Sequence, residues 1–177
     1  MYDPEKHHRH SIRLKGYDYS SLGKYFITTC AHNRECLFGH IQNDQMVLND
    51  VGQGIWQVWN SLPTRFPSID LNEFVVMPNH VHGIIVIAEI PRGAENSAPT
   101  LGEIMRAFKS ISAIDCNRIL EHPRRPFWQS GYYEHIVRDR DEYGRIAAYI
   151  VENPANWDRD KENPQARMSQ PEEPWQI

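Results

Sequence analysis

Two apolar runs, Ile69–Met77 and His80–Ile90, are separated only by Pro78-Asn79. Pro has no amide hydrogen for a sheet ladder and Asn tolerates left-handed backbone, so the dipeptide reads as a tight turn joining two antiparallel strands. No other feature restricts the fold as much, because a hairpin this apolar needs cover from the rest of the chain. The second strand carries an oddity. In VVMPNHVHGIIV, His80 and His82 lie among Val and Ile. Residues i and i+2 of a strand share a face, about 7 Å apart along the chain, so both imidazoles address one point beside the sheet. Gly83 faces the other way and leaves room for another segment or a substrate backbone to approach.

The other elements follow from periodicity. YFITTC, Tyr25 to Cys30, is a strand-type run. A short strand pair spans Leu37–Ile41 and Gln45–Leu48, turned by Asn43-Asp44. Asn49 or Asp50 caps a helix with Val51, Ile55, Val58, Trp59 and Leu62 at helical spacing, ended by Pro63 and Pro67. Thr100-Leu-Gly-Glu103 is a capping box that opens a second helix, with Leu101, Ile104, Met105, Phe108 and Ile111 on one side. YYEHIV, Tyr132 to Val137, is a further strand. Asp139-Arg-Asp-Glu142 heads a third helix running to Asn153, before Pro154. The order implies an α+β fold: an antiparallel sheet with helices packed mainly on one face. Three regions are expected: a basic N-terminal arm over 1–22, one domain over 23–156, and a loosely docked tail over 157–177.

Composition limits the function classes. No apolar run approaches the roughly 20 residues of a membrane span, and the start of the chain lacks a signal-peptide core. Cys30, Cys36 and Cys116 form an odd set without paired spacing, which fits reduced thiols and a cytoplasmic protein. The net charge of −4 hides an uneven distribution. Lys6 to Lys15 is basic, Arg106, Lys109, Arg118, Arg124 and Arg125 form a second basic region, and Asp158, Asp160, Glu162, Glu172 and Glu173 make the tail acidic. A basic working face of this kind can hold a phosphate backbone, although ordinary solvated charges give the same pattern.

Two constellations bear on chemistry. His80 and His82 suit two ligands of a metal with open positions, and equally a hydrogen-bonded structural pair. A third alternating histidine, as in nucleotide-hydrolysing triads, is missing because Ile84 occupies its place. Paired His-x-Ser/Thr motifs of phosphoesterases are absent as well. On the third helix, Tyr149 and Asn153 are i, i+4 neighbours beside the apolar Ile146 and Ile150. The phenol can be a core-edge aromatic or a reactive group, and the amide a helix-terminal residue or an oxygen ligand.

Taken together and in order, RLKGYDYS, MVLNDVG, VVMPNHVHGIIV, FKS, YYEHIVRD and YIVENPANW resemble the REP-associated branch of the single-tyrosine HUH transposases, from about Ser11 to Trp157. The resemblance implies a ferredoxin-like sandwich with the histidine strand central in the sheet. It implies His80, His82 and Asn153 as ligands of a divalent metal, Mg²⁺ or Mn²⁺, and Tyr149 as nucleophile. The implied substrate is single-stranded DNA with a hairpin, cut and rejoined through a 5′-phosphotyrosine by a monomer or homodimer acting at the nucleoid. Arg13, Lys15, Lys109 and Arg138 are the expected phosphate contacts. Two other functions compete: a non-catalytic hairpin-binding module on the same fold, and metal-dependent hydrolysis of a small nucleotide.

Overall fold

A computed structural model describes residues 23–88 and 98–166. The arm with Arg13 and Lys15, and residues 167–177 of the expected tail, lie outside the described residues. The elements are β1 (Gly23–Cys30), β2 (Gly39–Gln42), β3 (Gln45–Leu48), α1 (Asp50–Arg65), β4 (Ile69–Val76), β5 (His80–Ile87), α2 (Leu101–Ile119), β6 (Tyr133–Val137) and α3 (Arg140–Glu152). No described helix is long and apolar enough to cross a membrane.

Local chemistry accounts for the boundaries. Asn43 and Asp44 turn the β2–β3 hairpin with φ of 51° and 59°, the left-handed pair that suits a two-residue loop. The Asn49 side chain accepts the Gly52 amide at 3.0 Å and starts α1. Pro63 does not stop α1 as its sequence suggests. It sits in the last turn and costs the one ladder bond that an amide there would make to Trp59 O, and the ladder resumes with the Phe66 amide bonding to Leu62 O at 2.8 Å. The Thr100–Glu103 capping box opens α2 in both directions. Asp139 caps α3 by accepting the Glu142 amide at 2.8 Å, but the Glu142 carboxylate takes the Arg138 amide and His135 instead of closing a full box.

The main sheet has the order β4-β5-β1-β6, every pair antiparallel. With the β2–β3 hairpin set aside, the succession β1-α1-β4-β5-α2-β6 on that order is the split β-α-β arrangement of a ferredoxin-like sandwich. The histidine strand, β5, is interior. The helices α1 and α2 pack together on one face, over Tyr25, Ile27, Val81, Ile85 and Ile87. On that face a Cβ at Gly83 would lie 2.7 Å from the Trp59 ring and 2.9 Å from Phe74, so the approach foreseen at this glycine is made by an indole of α1. Helix α3 lies across the other face, where Ile146 and Ile150 meet Phe26, Ile84 and Val137. That face carries both histidines.

Candidate active site

Register places the histidines among polar neighbours. Across the β1–β5 ladder Thr28 faces His82 and Cys30 faces His80. His80 and His82 are essentially sealed from solvent, at 0% and 1% exposure. Asn79 donates its amide hydrogens to Arg34 O (3.0 Å) and Glu162 O (2.7 Å), which leaves its Oδ1 to face His80 Nδ1 at 2.9 Å. His80 Nδ1 therefore carries the hydrogen, and its Nε2 is a bare lone pair aimed inward. Thr28 Oγ1 holds His82 Nδ1 at 2.7 Å, and the two Nε2 atoms are 3.0 Å apart. Burial drives the His80 imidazole down to about 3 and His82 well below its usual range, the latter aided by His80. Both rings are neutral at physiological pH, the form that binds metals.

Helix α3 delivers Tyr149 to the same point. Its hydroxyl is 3.4 Å from His82 Nε2, and its ring meets His82 and Phe26 edge-on. The helix can place a phenol there because Ile146 and Ile150 anchor its apolar stripe beside it. Burial raises the Tyr149 phenol well above its ordinary value, and the Asp160 carboxylate adds to this while an Asn153 hydrogen bond opposes it.

Asn153 is the C-cap of α3 and is buried at 3% exposure. Its side chain lies by Tyr149 and Asp160, and its amide acts to lower the pKa of each. Pro154 ends the α ladder, yet Asn153 keeps helical backbone and the chain tightens into a 3-10 turn over Pro154–Arg159. That turn brings Asp160 back over the histidines. Its Oδ1 accepts the Glu162 amide at 2.6 Å, and its Oδ2 lies 3.7 Å from His80 Nε2. Ligand atoms of His80, His82 and Asp160 all fall within 4.8 Å of one another. Asp160 is the residue sequence reasoning missed, because Asp158-Arg-Asp-Lys-Glu162 reads as a solvated acidic stretch. Its one signal was proximity, seven positions past Asn153, and nothing in the alternation marks which carboxylate turns inward.

The donor set fits a divalent cation. Asn153 Oδ1 and Asp160 Oδ2 are buried oxygens without a hydrogen-bond partner, a condition that costs about 1–3 kcal/mol each unless something pairs with them. Adjacent ligands at about 2.1 Å from an ion, a right angle apart, are about 3.0 Å from each other, which is the separation of the two Nε2 atoms. Two neutral imidazoles with carboxylate and amide oxygens suit Mn²⁺ and other borderline ions, and the oxygens also suit Mg²⁺.

Within residues 157–166 of the expected tail, two acidic side chains turn inward, Asp160 and Glu162. Glu162 is buried; its carboxylate pairs with Arg34 Nε at 3.0 Å and accepts the Cys30 thiol at 3.4 Å. Asn33 and Arg34 are both left-handed, with φ of 56° and 55°. Such a pair of non-glycine residues is strained and persists because Asn79 and Glu162 grip it. Of the expected phosphate contacts, Lys109 donates to Gln129 O (2.6 Å) and Gly131 O (2.7 Å), and burial lowers its ammonium to about 8. Arg138 is exposed at the end of β6. Neither enters the hydrogen-bond network around the histidines among the described residues.

Comparison with known proteins gives three findings. A family model described as IS200-like transposase matches residues 38–153, a span that holds His80, His82, Tyr149 and Asn153 and stops short of Asp160. A protein of Haemophilus influenzae described as uncharacterized is 44% identical, the alignment covering 90% of this chain and 96% of that one. Among solved structures, a REP-associated tyrosine transposase bound to a REP hairpin aligns with a TM-score of 0.59 at 21% identity, over 83% of this chain and 74% of that chain. At that identity the likeness concerns the fold.

Proposed function

The chain belongs to the IS200-like transposase family, and from that membership we propose that it cuts and rejoins single-stranded DNA at hairpins, with Tyr149 as nucleophile. The observation that carries the reading is the approach of the Tyr149 hydroxyl to 3.4 Å from His82 Nε2, inside a buried cluster whose two spare oxygens await a cation. His80, His82, Asp160 and Asn153 would hold the metal, Mg²⁺ or Mn²⁺. When bound, that ion polarises the scissile phosphate and offsets the charge gathering on its oxygens.

The remaining work falls to the chain. The Asn153 amide, one helical turn past Tyr149, favours the ionised phenol. The phenol has a raised pKa and is a weak nucleophile until its proton leaves. As the oxygen of Tyr149 bonds to phosphorus, the bond from phosphorus to the 3′ oxygen breaks, and a proton ends on that 3′ oxygen. The protein keeps a 5′-phosphotyrosine, and the phosphodiester energy is conserved. A second 3′-hydroxyl reverses the step with no outside energy source. Tyr149 meets the histidines within one chain, so a monomer suffices for one complete site. The hairpin specificity has the REP-bound structural relative as its support, and the exposed Arg138 and the basic arm with Arg13 and Lys15 are the phosphate contacts in this reading. The protein would act in the cytoplasm, on nucleoid DNA.

The test mixes the protein with Mn²⁺ or Mg²⁺ and end-labelled hairpin single strands, then looks for a protein–DNA adduct that survives denaturation. Wild type forms it and Tyr149→Phe does not. An equal adduct from Tyr149→Phe removes Tyr149 as nucleophile. One observation favours a non-catalytic hairpin-binding module: the imidazoles are fully buried, so a phosphate reaches them only if neighbouring side chains give way. That reading expects hairpin binding without adduct for every strand offered.

A further inference from the structure

The 3-10 turn that returns Asp160 to the site builds a second feature on its outer side. Trp157 is half-buried, with its ring centroid 6.0 Å from that of His80. Trp157, Asp158, Arg159, Asn163 and Gln165 line a cavity of about 550 Å³, within the range of small-molecule sites. Its walls are tied together by side-chain and backbone hydrogen bonds. The Asn163 amide donates to Trp157 O at 2.9 Å, and its Oδ1 accepts the Gln165 amide hydrogen at 2.9 Å. The Asp160 amide also bonds to Trp157 O, at 3.1 Å. The Arg159 guanidinium donates to Asn156 Oδ1 at 3.2 Å. The cavity and Asp160 therefore share one rigid turn.

The lining selects a class of ligand. Asp158 and Arg159 cancel in charge, so a bare phosphate gains little there. Trp157 is the one aromatic residue of a mostly polar lining, and an indole suits a flat aromatic ring. The carboxylate, guanidinium and Gln165 amide supply both acceptors and donors at its edge. An unpaired nucleobase combines these properties, and aromatic stacking with edge hydrogen bonds is how single strands are held.

We propose that the Trp157 cavity takes one unpaired base of the strand whose phosphate lies at Tyr149, which makes Trp157 a positioning residue that sets which phosphate is cut. The inference rests on the DNA reading above. A seated base fixes the backbone beside it relative to His80 and Asp160, and the shared turn keeps that offset constant.

The experiment compares fluorescein-labelled oligothymidylate of about twelve nucleotides with an abasic strand of the same backbone, by anisotropy. Wild type, Trp157→Leu and Trp157→Phe are titrated at fixed salt, and the affinity ratio of the two strands is read. Wild type favours the base-bearing strand by about tenfold or more. Trp157→Leu, which keeps apolar bulk without the π-face, loses most of that ratio, and Trp157→Phe keeps most of it. Mn²⁺ affinity by calorimetry stays the same in all three. A wild-type ratio near one, or a full ratio in Trp157→Leu, overturns the proposal. The two readings fail separately. An unchanged ratio in Trp157→Leu with a Tyr149-dependent adduct removes the cavity and leaves the nucleophile. A Trp157-dependent ratio with no adduct from any hairpin strand does the reverse.

Discussion

The two faces of the sheet are built from alternate residues of the same strands, and they solve opposite problems. Under α1 and α2 the contacts are mainly hydrocarbon and aromatic, with Ser112 holding the Trp128 indole nitrogen at 3.0 Å. Trp59 stacks on Phe74 with centroids 4.3 Å apart and meets Phe108 edge-on, over a glycine that has no room for a methyl group. Under α3 the apolar cluster is small, and toward the start of β5 it gives way to His80, His82, Thr28, Asn153 and Asp160, with two oxygens unpartnered. One face gains stability from close packing. The other gathers imidazoles, a hydroxyl, an amide and a carboxylate at one point with two oxygens unpartnered, although the Trp59 indole nitrogen under α1 is unpartnered too. Stability and chemistry are thus separable in this protein, one residue apart along β5.

The sharpest way to break the comparison is to remove both imidazoles. His80→Ala with His82→Ala should weaken Mn²⁺ binding by on the order of a thousandfold in calorimetry, since two of the donors go, while the stability lost in urea stays at the roughly 2 to 5 kcal/mol of opening a buried cavity, with Asn79 Oδ1 and Thr28 left unpaired. A larger loss of stability would show that the histidine face is also structural. Gly83→Ala strikes the opposite face, one residue away. Its Cβ would be driven into Trp59 and Phe74, both ring atoms within 3.0 Å, and the cost should be about 2 to 3 kcal/mol in urea unfolding. Mn²⁺ affinity of the folded fraction should not move, and a matching drop in affinity would mean that the faces are coupled. Asp160→Asn keeps the shape and removes the charge. Mn²⁺ should bind about tenfold more weakly, and the metal-free protein should be no less stable, because the carboxyl's raised pKa reports a charge held against burial. Unchanged affinity would hand the third position to Asn153 alone.

The smallest effect concerns Lys109, away from the histidines. Its folded pKa, about 8, lies below the ordinary 10.5, so between those values the unfolded chain binds more protons and stability rises with pH. Below pH 8 the dependence is flat. Urea unfolding at pH 7.5 and 9.5 should show a rise well under the full linkage slope of about 1.4 kcal/mol per pH step, because solvent screens a partly exposed ammonium. The rise should vanish in Lys109→Met. A fall in wild type would mean that the Gln129 and Gly131 carbonyls hold the charged form more strongly than burial opposes it.

What the sequence by itself determined is local. Period two put His80 and His82 on one side of β5, and period 3.6 put Tyr149 and Asn153 on one side of α3. Thr100, Glu103, Asp139 and the Asn43-Asp44 pair marked where elements begin and turn, because caps and turns are decided by hydrogen bonds within a few residues. Only the tertiary structure decided that α3 covers the histidine face while α1 and α2 take the other. It turned Asp160 inward from an acidic stretch, tied Lys109 to two carbonyls, and filled the space over Gly83 with Trp59. These facts depend on groups far apart in the chain, and on whether a charge finds a buried partner, which periodicity along one strand or helix does not encode.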